Sequence, residues 1–195
     1  MIRAFVAVEL DAPLRQALAQ VQATLRGQLQ QAVGPDVRIQ WVKPESIHLT
    51  LKFLGAIPEE RVSDIRAALA RVACGHSRFT VDVEGLGVFP DVHAPRVLWV
   101  GLTAHGDTLT RLAADVETGL AALGFPPEAR PFNPHLTLAR IKERSRDVGR
   151  ALSAGGVLTQ EARLGALPVA ALSLMKSDLQ PSGSVYTQLQ EIPLR

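Results

Sequence analysis

Apolar residues recur along this chain at two spacings, and these spacings predict where its helices and strands lie. Alternating apolar and polar residues predict strands, whereas apolar residues three and four positions apart predict the buried stripe of a helix. A long first helix is predicted from Pro13 to Val33, with Asp11 as its N-cap and a Gly-Pro pair at its end. Further helices are predicted to begin at Pro58 and after Asp107, and the basic stretch 140–150 is predicted to continue into a weak short helix that ends at Gly155-Gly156.

Alternating stretches predict the strands that lie between these helices. The predicted strands are 2–10, 37–42, 47–55, 79–89, 96–102, 135–140, 167–176 and 185–189. Most connections are short and several resemble hairpins, so the sheets are predicted to be mainly antiparallel. No linker divides the chain. We therefore expect one bilobal α+β domain over residues 1–195, with two mainly antiparallel sheets, helices on the outside, a pseudo-twofold arrangement and a central groove.

One four-residue sequence occurs twice, once in each half of the chain. His-Leu-Thr-Leu begins at His48 and again at His135, and each copy follows a polar segment that contains proline. Alternate side chains on a strand share a face, so each copy places an imidazole beside the hydroxyl of Thr50 or Thr137. A single copy is most simply a half-buried strand, but two copies in equivalent contexts indicate a functional pair.

Paired imidazoles suit a displacement at phosphorus that proceeds without a metal ion. Imidazole titrates near neutrality, so one histidine can accept a proton while the other donates one. The attacking and leaving oxygens lie roughly in line on opposite sides of phosphorus, which calls for a base on one side and an acid on the other. Threonine hydroxyls can hydrogen-bond the non-bridging phosphate oxygens. The residues alone do not say which histidine is the acid.

Other kinds of site lack their sequence motifs. The chain contains no His-Glu-x-x-His or clustered Cys and His ligands, no Gly-x-Ser-x-Gly and no Gly-x-x-x-x-Gly-Lys loop. We therefore expect neither a metal nor a cofactor. A net charge of +2 permits a phosphate-bearing partner without requiring one, and the single Cys74 excludes an intrachain disulfide. The apolar N-terminal run is too short for a signal peptide or a membrane span, so a cytoplasmic protein without membrane contact is expected. We also expect a monomer.

With these motifs the sequence resembles the two-histidine phosphoesterases, a family defined by paired His-x-Thr-x motifs. It resembles in particular their bacterial branch, the RNA 2′,3′-cyclic phosphodiesterases, once called 2′-5′ RNA ligases. The resemblance covers nearly the whole chain. It includes residues 3–5, Trp41, residues 48–55, 95–100 and 130–140, and a Ser182-Gly183 turn before Tyr186.

The resemblance implies a bilobal α+β fold and metal-independent opening of a terminal 2′,3′-cyclic phosphate to the 2′-phosphomonoester. The implied substrates are RNA ends or small cyclic nucleotides. The resemblance also implies that His48 donates a proton to the leaving oxygen and that His135 accepts one from water. Two other functions remain open from the sequence: ligation of 2′-5′ RNA ends, and a non-catalytic module that binds a nucleotide or an RNA end. Arginines would serve such a module better than two imidazoles.

Strand parity makes further predictions about basic residues near the motifs. Lys52 shares the parity of His48 and Thr50, so it is predicted to face the groove and attract phosphate, although lysines at strand ends are as often simply solvated. Arg140 has the opposite parity unless its strand bulges, so a structural role is predicted for it.

Several other residues are candidates for substrate contact. Arg130, in the loop that enters the second motif, could reach the phosphate or the RNA backbone. Phe5, Phe132 and Trp41 could stack on a base, although aromatic residues beside strands more often belong to the core. The three other histidines are predicted to lie in surface loops: His76, His93 and His105.

Overall fold

The structure is a computed structural model that describes residues 1–103, 106–159, 163–180 and 183–195. Within these residues the chain forms nine strands and four α-helices. Strands β1 to β9 are Ile2–Glu9, Ile39–Trp41, His48–Ile57, Phe79–Phe89, Val97–Thr103, His135–Ile141, Arg163–Val169, Ala171–Gln180 and Gly183–Pro193. Helices α1 to α4 are Ala12–Val33, Val62–Cys74, Thr108–Ala121 and Ser145–Ala154.

The strands form one antiparallel sheet made of two halves. Eight strands follow the order β7-β4-β5-β6-β3-β1-β8-β9, and β2 pairs with the far end of β6. The predicted α+β class and the antiparallel pairing are confirmed. The two predicted sheets are continuous, because β6 and β3 meet at a single residue pair, Leu49 with Leu136.

That seam coincides with a local pseudo-twofold axis. Leu49 and Leu136 are the same residue of the two motif copies, and a twofold axis between antiparallel strands places equivalent residues opposite each other. The strands on either side repeat the same register. Thr50 pairs with Ala7 and Lys52 with Val6, just as Thr137 pairs with Trp99 and Ala139 with Leu98.

Both motif strands carry a β-bulge directly after the threonine. Leu51 and Leu138 have no partner in the neighbouring strand, so each is the extra residue of its bulge. The bulge shifts the alternation of side chains by one position. The burial pattern over the first seven residues is consequently identical in β3 and β6, with residues four and five both buried and residue six exposed.

The helices cover the face of the sheet that buries the leucines of the motifs. Helix α1 begins as predicted, since Asp11 Oδ1 accepts a hydrogen bond of 3.0 Å from the backbone N–H of Leu14. Its buried Gln22 lies under the second motif strand, where Nε2 donates to the carbonyls of Val42 at 2.7 Å and Leu138 at 2.9 Å. A buried amide thus fixes the backbone of the second bulge.

Two further predictions, about one strand and one histidine, are wrong. The predicted strand 167–176 is two strands that separate at Ala170, because β7 pairs with β4 in one half and β8 pairs with β1 in the other. His76 is not at the surface, since it is buried and its Nε2 lies 2.7 Å from Oδ2 of Asp115 on α3. His93 is exposed, whereas His105 and Ser182 lie outside the described residues.

Candidate active site

A groove of about 620 Å³ lies over the seam between β3 and β6, and both halves of the sheet line it. The four polar residues of the two motifs all face it: His48, Thr50, His135 and Thr137. The bulges come after these residues and leave the alternation before them intact. Residues 87 positions apart in the sequence therefore share one surface.

The register at the seam fixes how these side chains face one another. Because Leu49 pairs with Leu136, extending the pairing by one residue places His48 opposite Thr137 and His135 opposite Thr50. The two histidines are then diagonal neighbours, and the Cα atoms of such neighbours lie roughly 7–8 Å apart in an antiparallel pair. This spacing leaves room for one phosphoryl group between the rings, with a hydroxyl beside each.

Both imidazoles are held by the same kind of hydrogen bond. Nδ1 of His48 lies 2.9 Å from the carbonyl oxygen of Ser46, and Nδ1 of His135 lies 2.8 Å from that of Asn133. A carbonyl oxygen only accepts, so Nδ1 carries the proton and donates in both rings. Nε2 is therefore the atom of each ring that can accept or donate a proton in the groove.

Aromatic side chains fix the plane of the His48 ring. Its centroid lies 4.7 Å from that of Phe5 and 4.9 Å from that of Tyr186, which meets the imidazole edge-on. Phe5 lines the groove but is only 2% exposed. Its ring thus supports His48 and offers little surface on which a base could stack.

The His135 ring has aromatic neighbours of its own. It meets Phe89 edge-on at 5.1 Å between centroids, and Trp99 lies 6.3 Å away. The Trp99 ring in turn lies directly over Gly87 of β4, where any Cβ would be 2.2 Å from the indole carbons. Glycine at this position allows the close approach that sets the indole beside the histidine.

Burial acts on the protonation of the first histidine. Burial lowers the pKa of His48, the hydrogen bond to the Ser46 carbonyl opposes this, and the charge of His135 adds a smaller lowering, so that the pKa is about 4. The His48 imidazole is therefore neutral at physiological pH.

Lys52 does not face the groove, so the prediction from strand parity is wrong. The bulge at Leu51 turns Lys52 towards the helices, where its side chain is 3% exposed. Its Nζ forms an ion pair with Glu117 of α3 and donates a hydrogen bond of 2.8 Å to the carbonyl of Pro126. Lys52 thus links the first motif strand to α3 and to the segment after it.

The same shift brings Arg140 into the groove, so the structural role predicted for it is also wrong. The other predicted substrate contacts lie elsewhere. Arg130 is exposed and does not line the groove, while Phe132 is half-buried and packs against the main core. Trp41 packs against that core too, beneath the guanidinium of Arg26.

Sequence reasoning missed two aromatic residues that line the groove. Phe53 follows the first bulge and is 69% exposed, and Tyr186 contacts His48 from β9. Phe53 could have been placed in the groove only by predicting the bulge at Leu51, and the sequence does not indicate that bulge. Tyr186 was named only as part of the resemblance to the family, and no contact with the groove was predicted for it.

The family model described as LigT-like phosphoesterase matches residues 8–99 and 100–186 of this chain. Each matched segment contains one of the two motifs that meet at the seam. The chain belongs to the LigT-like phosphoesterase family. The resemblance drawn from the motifs is thereby confirmed.

Two curated relatives of this LigT-like phosphoesterase carry the same name. This chain is 34% identical over 190 residues to the RNA 2′,3′-cyclic phosphodiesterase of Methanothermobacter thermautotrophicus, and the match covers 97% of each chain. It is also 34% identical over 200 residues to the protein of that name from Thermus thermophilus, covering 100% of this chain and 91% of the relative.

Solved structures of the family have the same architecture. The crystal structure of TT0787 from Thermus thermophilus is 32% identical, with a TM-score of 0.75 over 99% of this chain and 98% of that one. Escherichia coli LigT in complex with 3′-AMP has a TM-score of 0.74 over 99% and 98% of the two chains. At 24% identity that likeness concerns the fold.

Two kinds of feature are absent from the described part of this LigT-like chain. Among residues 1–103, 106–159, 163–180 and 183–195, no three His, Cys, Asp or Glu side chains come together as metal ligands. No helix in these ranges combines the length and the apolar character needed to cross a bilayer.

Proposed function

We propose that this LigT-like phosphoesterase hydrolyses the 2′,3′-cyclic phosphodiester at the end of an RNA to a 2′-phosphomonoester. The observation that carries the proposal is the pair of imidazoles at the seam, each with Nδ1 fixed as a donor and Nε2 available in one groove. The relatives named RNA 2′,3′-cyclic phosphodiesterase support the hydrolase over a ligase or a pure binding module.

The pair divides the two proton transfers of the reaction. Nε2 of His135 accepts a proton from water as the water oxygen attacks phosphorus. The bond between phosphorus and the 3′ oxygen breaks on the opposite side, and Nε2 of His48 donates its proton to that oxygen. Thr50 and Thr137 hydrogen-bond the non-bridging oxygens and hold the phosphoryl group between the rings. One water is consumed and a 2′-phosphate and a 3′-hydroxyl are formed.

A donor must carry a proton before it can donate one. Burial depresses the pKa of His48 and so keeps its imidazole neutral at physiological pH. A bound phosphodiester brings a negative charge between the two rings, and a nearby opposite charge favours the imidazolium form. Substrate binding is therefore coupled to uptake of a proton, and the low intrinsic pKa makes the protonated ring a strong acid.

The extent of the groove suits a chain end. Its volume of about 620 Å³ lies within the range of small-ligand sites, roughly 300–1,000 Å³, which fits a terminal nucleotide better than a duplex. One chain supplies both histidines, so the site needs no second subunit, and we propose a monomer that acts as a single bilobal domain over residues 1–195. The reaction needs no membrane and no metal, and we place it in the cytoplasm.

One incubation tests this function. An RNA with a 2′,3′-cyclic end is mixed with the protein, together with an RNA that has a free 5′-hydroxyl, and the products are resolved by phosphorus NMR and electrophoresis. A 2′-phosphate end that depends on His48 and His135, and is unaffected by the exposed His93→Ala, is the expected result. A joined product would mean a ligase, and retention of the intact cyclic end on the protein would mean a binding module.

A further inference from the structure

The two histidines face different residues on the strands beside them. In the register of the sheet, His48 pairs with Glu9 of β1 and His135 pairs with Gly101 of β5. These positions are equivalent under the pseudo-twofold axis, and paired residues of antiparallel strands project from the same face. The proposed acid, His48, therefore has a carboxylate beside it where the proposed base has no side chain.

Glu9 joins three strands through its carboxylate. Gln188 of β9 reaches over β8, and its Nε2 donates a hydrogen bond of 2.5 Å to Oε2 of Glu9. Ser173 of β8 lies between them, where its Oγ is 3.3 Å from the same carboxylate oxygen and accepts a hydrogen bond of 3.0 Å from Gln188. Hydrogen bonds to a charged acceptor are stronger than those between neutral groups. We call Glu9, Ser173 and Gln188 the clasp, because they fasten the last strand of the sheet to β1.

The clasp lies next to the aromatic ring that covers His48. Tyr186 and Gln188 are two positions apart on β9, and the register with β8 runs without a bulge between them. They consequently share a face of the strand. Tyr186 meets His48 and Phe5 edge-on, at 4.9 Å and 5.3 Å between ring centroids. A strand that held Gln188 less firmly would also hold Tyr186 less firmly.

The described residues of the second half of the sheet support their histidine differently. Two glycines, Gly101 and Gly87, stand where the first half has the carboxylate and the serine of the clasp. The Trp99 indole lies over this space and beside His135. Its equivalent in the first half is Ala7, which is too small to support an imidazole. The ring of the first-motif histidine therefore takes part of its support from β9, the strand that the clasp holds.

We infer that Glu9 and Gln188 are positioning residues for His48, because they hold β9 so that Tyr186 stays packed against the imidazole. Neither side chain of this pair lines the groove, so neither touches the substrate. A packed ring keeps Nε2 directed at the leaving oxygen, and a proton donor that is misplaced by about 1 Å can lose roughly 10²-fold in rate. The inference rests on the proposed role of His48 as the proton donor.

Titration of the His48 ring by NMR is the first test. With ring-labelled histidine, the signal of His48 is assigned by its absence from His48→Asn. The pKa is about 4 with the ring packed, and water that reaches the ring should raise this pKa towards 6.5. Gln188→Leu removes no charge and should raise the pKa of His48 by about one unit or more, while the titration of His135 stays unchanged. A general loss of stability would not shift the pKa of one ring alone.

Substitution of Glu9 separates its charge from its place in the clasp. The charged or titratable residues that line the groove or pair with His48 are Arg3, Glu9, His135, Arg140, Lys142 and Tyr186. Glu9 supplies the only carboxylate in this set, so losing its charge alone lowers the pKa of His48. Glu9→Gln keeps an oxygen that accepts both hydrogen bonds, and the pKa of His48 should stay at or below its wild-type value. Glu9→Ala also opens the clasp, so the pKa of His48 should be higher in Glu9→Ala than in Glu9→Gln.

Turnover of a ribonucleoside 2′,3′-cyclic phosphate is the second test. Gln188→Leu and Glu9→Ala should lower kcat roughly 10- to 100-fold and leave KM within about threefold, since they shift the proton donor and touch no substrate. Glu9→Gln should retain most of the activity. In a Tyr186→Ala background, Gln188→Leu should change neither kcat nor the pKa of His48 any further, because the ring that the clasp positions is already absent.

Glu191→Ala and Thr187→Val are matched controls on β9, because both residues are exposed and lie outside the clasp and the groove. Neither should change kcat or the pKa of His48. The inference is overturned if Gln188→Leu leaves both at their wild-type values, or if it shifts the pKa of His135 as far as that of His48. If the wild type opens no cyclic phosphate, the proposed function fails, and the NMR titration still decides whether the clasp positions the ring.

Discussion

Protonation of His48 should destabilise the folded protein as the pH falls. Its pKa is about 4 in the folded chain against an ordinary value of 6.5, a difference of about 2.5. Because the folded pKa is the lower one, the unfolded chain binds the proton first. The contribution of neutral His48 to stability is thus complete above pH 6.5 and is lost as the pH falls towards 4. At about 1.4 kcal/mol for each pH unit, the loss amounts to roughly 3 kcal/mol.

Denaturant unfolding at a series of pH values measures this effect against a variant that cannot be protonated. His48→Asn keeps a hydrogen-bond donor near the Ser46 carbonyl, and its side-chain amide does not bind a proton between pH 7 and pH 4. Carboxylates titrate alike in both proteins, so the difference in unfolding free energy isolates the histidine. We expect this difference to change by roughly 3 kcal/mol between pH 7 and pH 4, to the disadvantage of the wild type at low pH.

His93→Asn provides the matched control, because His93 is exposed and outside the groove. Its difference from the wild type should show no comparable change over this range. A His48 difference that stays constant within about 1 kcal/mol would refute the reasoning from burial. A change of opposite sign would mean that the fold raises the pKa of His48, as a nearby carboxylate would.

Further predictions concern the catalytic pair and the groups beneath it. His48→Ala and His135→Ala should each slow turnover roughly 10²–10⁴-fold, and a substrate with a very good leaving group should rescue only His48→Ala, since it needs little acid; rescue of His135→Ala instead would reverse the two roles. Activity should survive prolonged treatment with EDTA, and its restoration by added Mg²⁺ or Zn²⁺ after loss would refute metal independence. Lys52→Met should lower the unfolding free energy by roughly 1–3 kcal/mol, because it removes the cationic partner of Glu117 and leaves that carboxylate only the backbone N–H of Glu128, with Lys142→Met as the exposed control. Gln22→Leu should cost roughly 1–3 kcal/mol in the same assay, because it removes the donor to two buried carbonyls; an unchanged stability would mean that water replaces the amide.

The sequence by itself determined the elements and the catalytic candidates of this protein. Helix α1 and its Asp11 cap follow from local spacing, because the periodicity of a helix and the chemistry of its cap lie within a few residues of each other. The two copies of His-Leu-Thr-Leu are identical in sequence, so their importance could be inferred without knowing that they are adjacent. The antiparallel α+β class followed from short connections in the same way.

Only the tertiary structure decided which of the neighbouring side chains reach the groove. Strand parity assumes an unbroken pleat, and the bulges at Leu51 and Leu138 arise from pairing with β1 and β5, which nothing within the motifs encodes. A shift of one residue moved Lys52 to the helices and brought Arg140 and Phe53 into the groove. The meeting of His48 and His135 is likewise a property of the seam. It depends on the register between strands that are 87 positions apart, and the packing of the whole sheet sets that register.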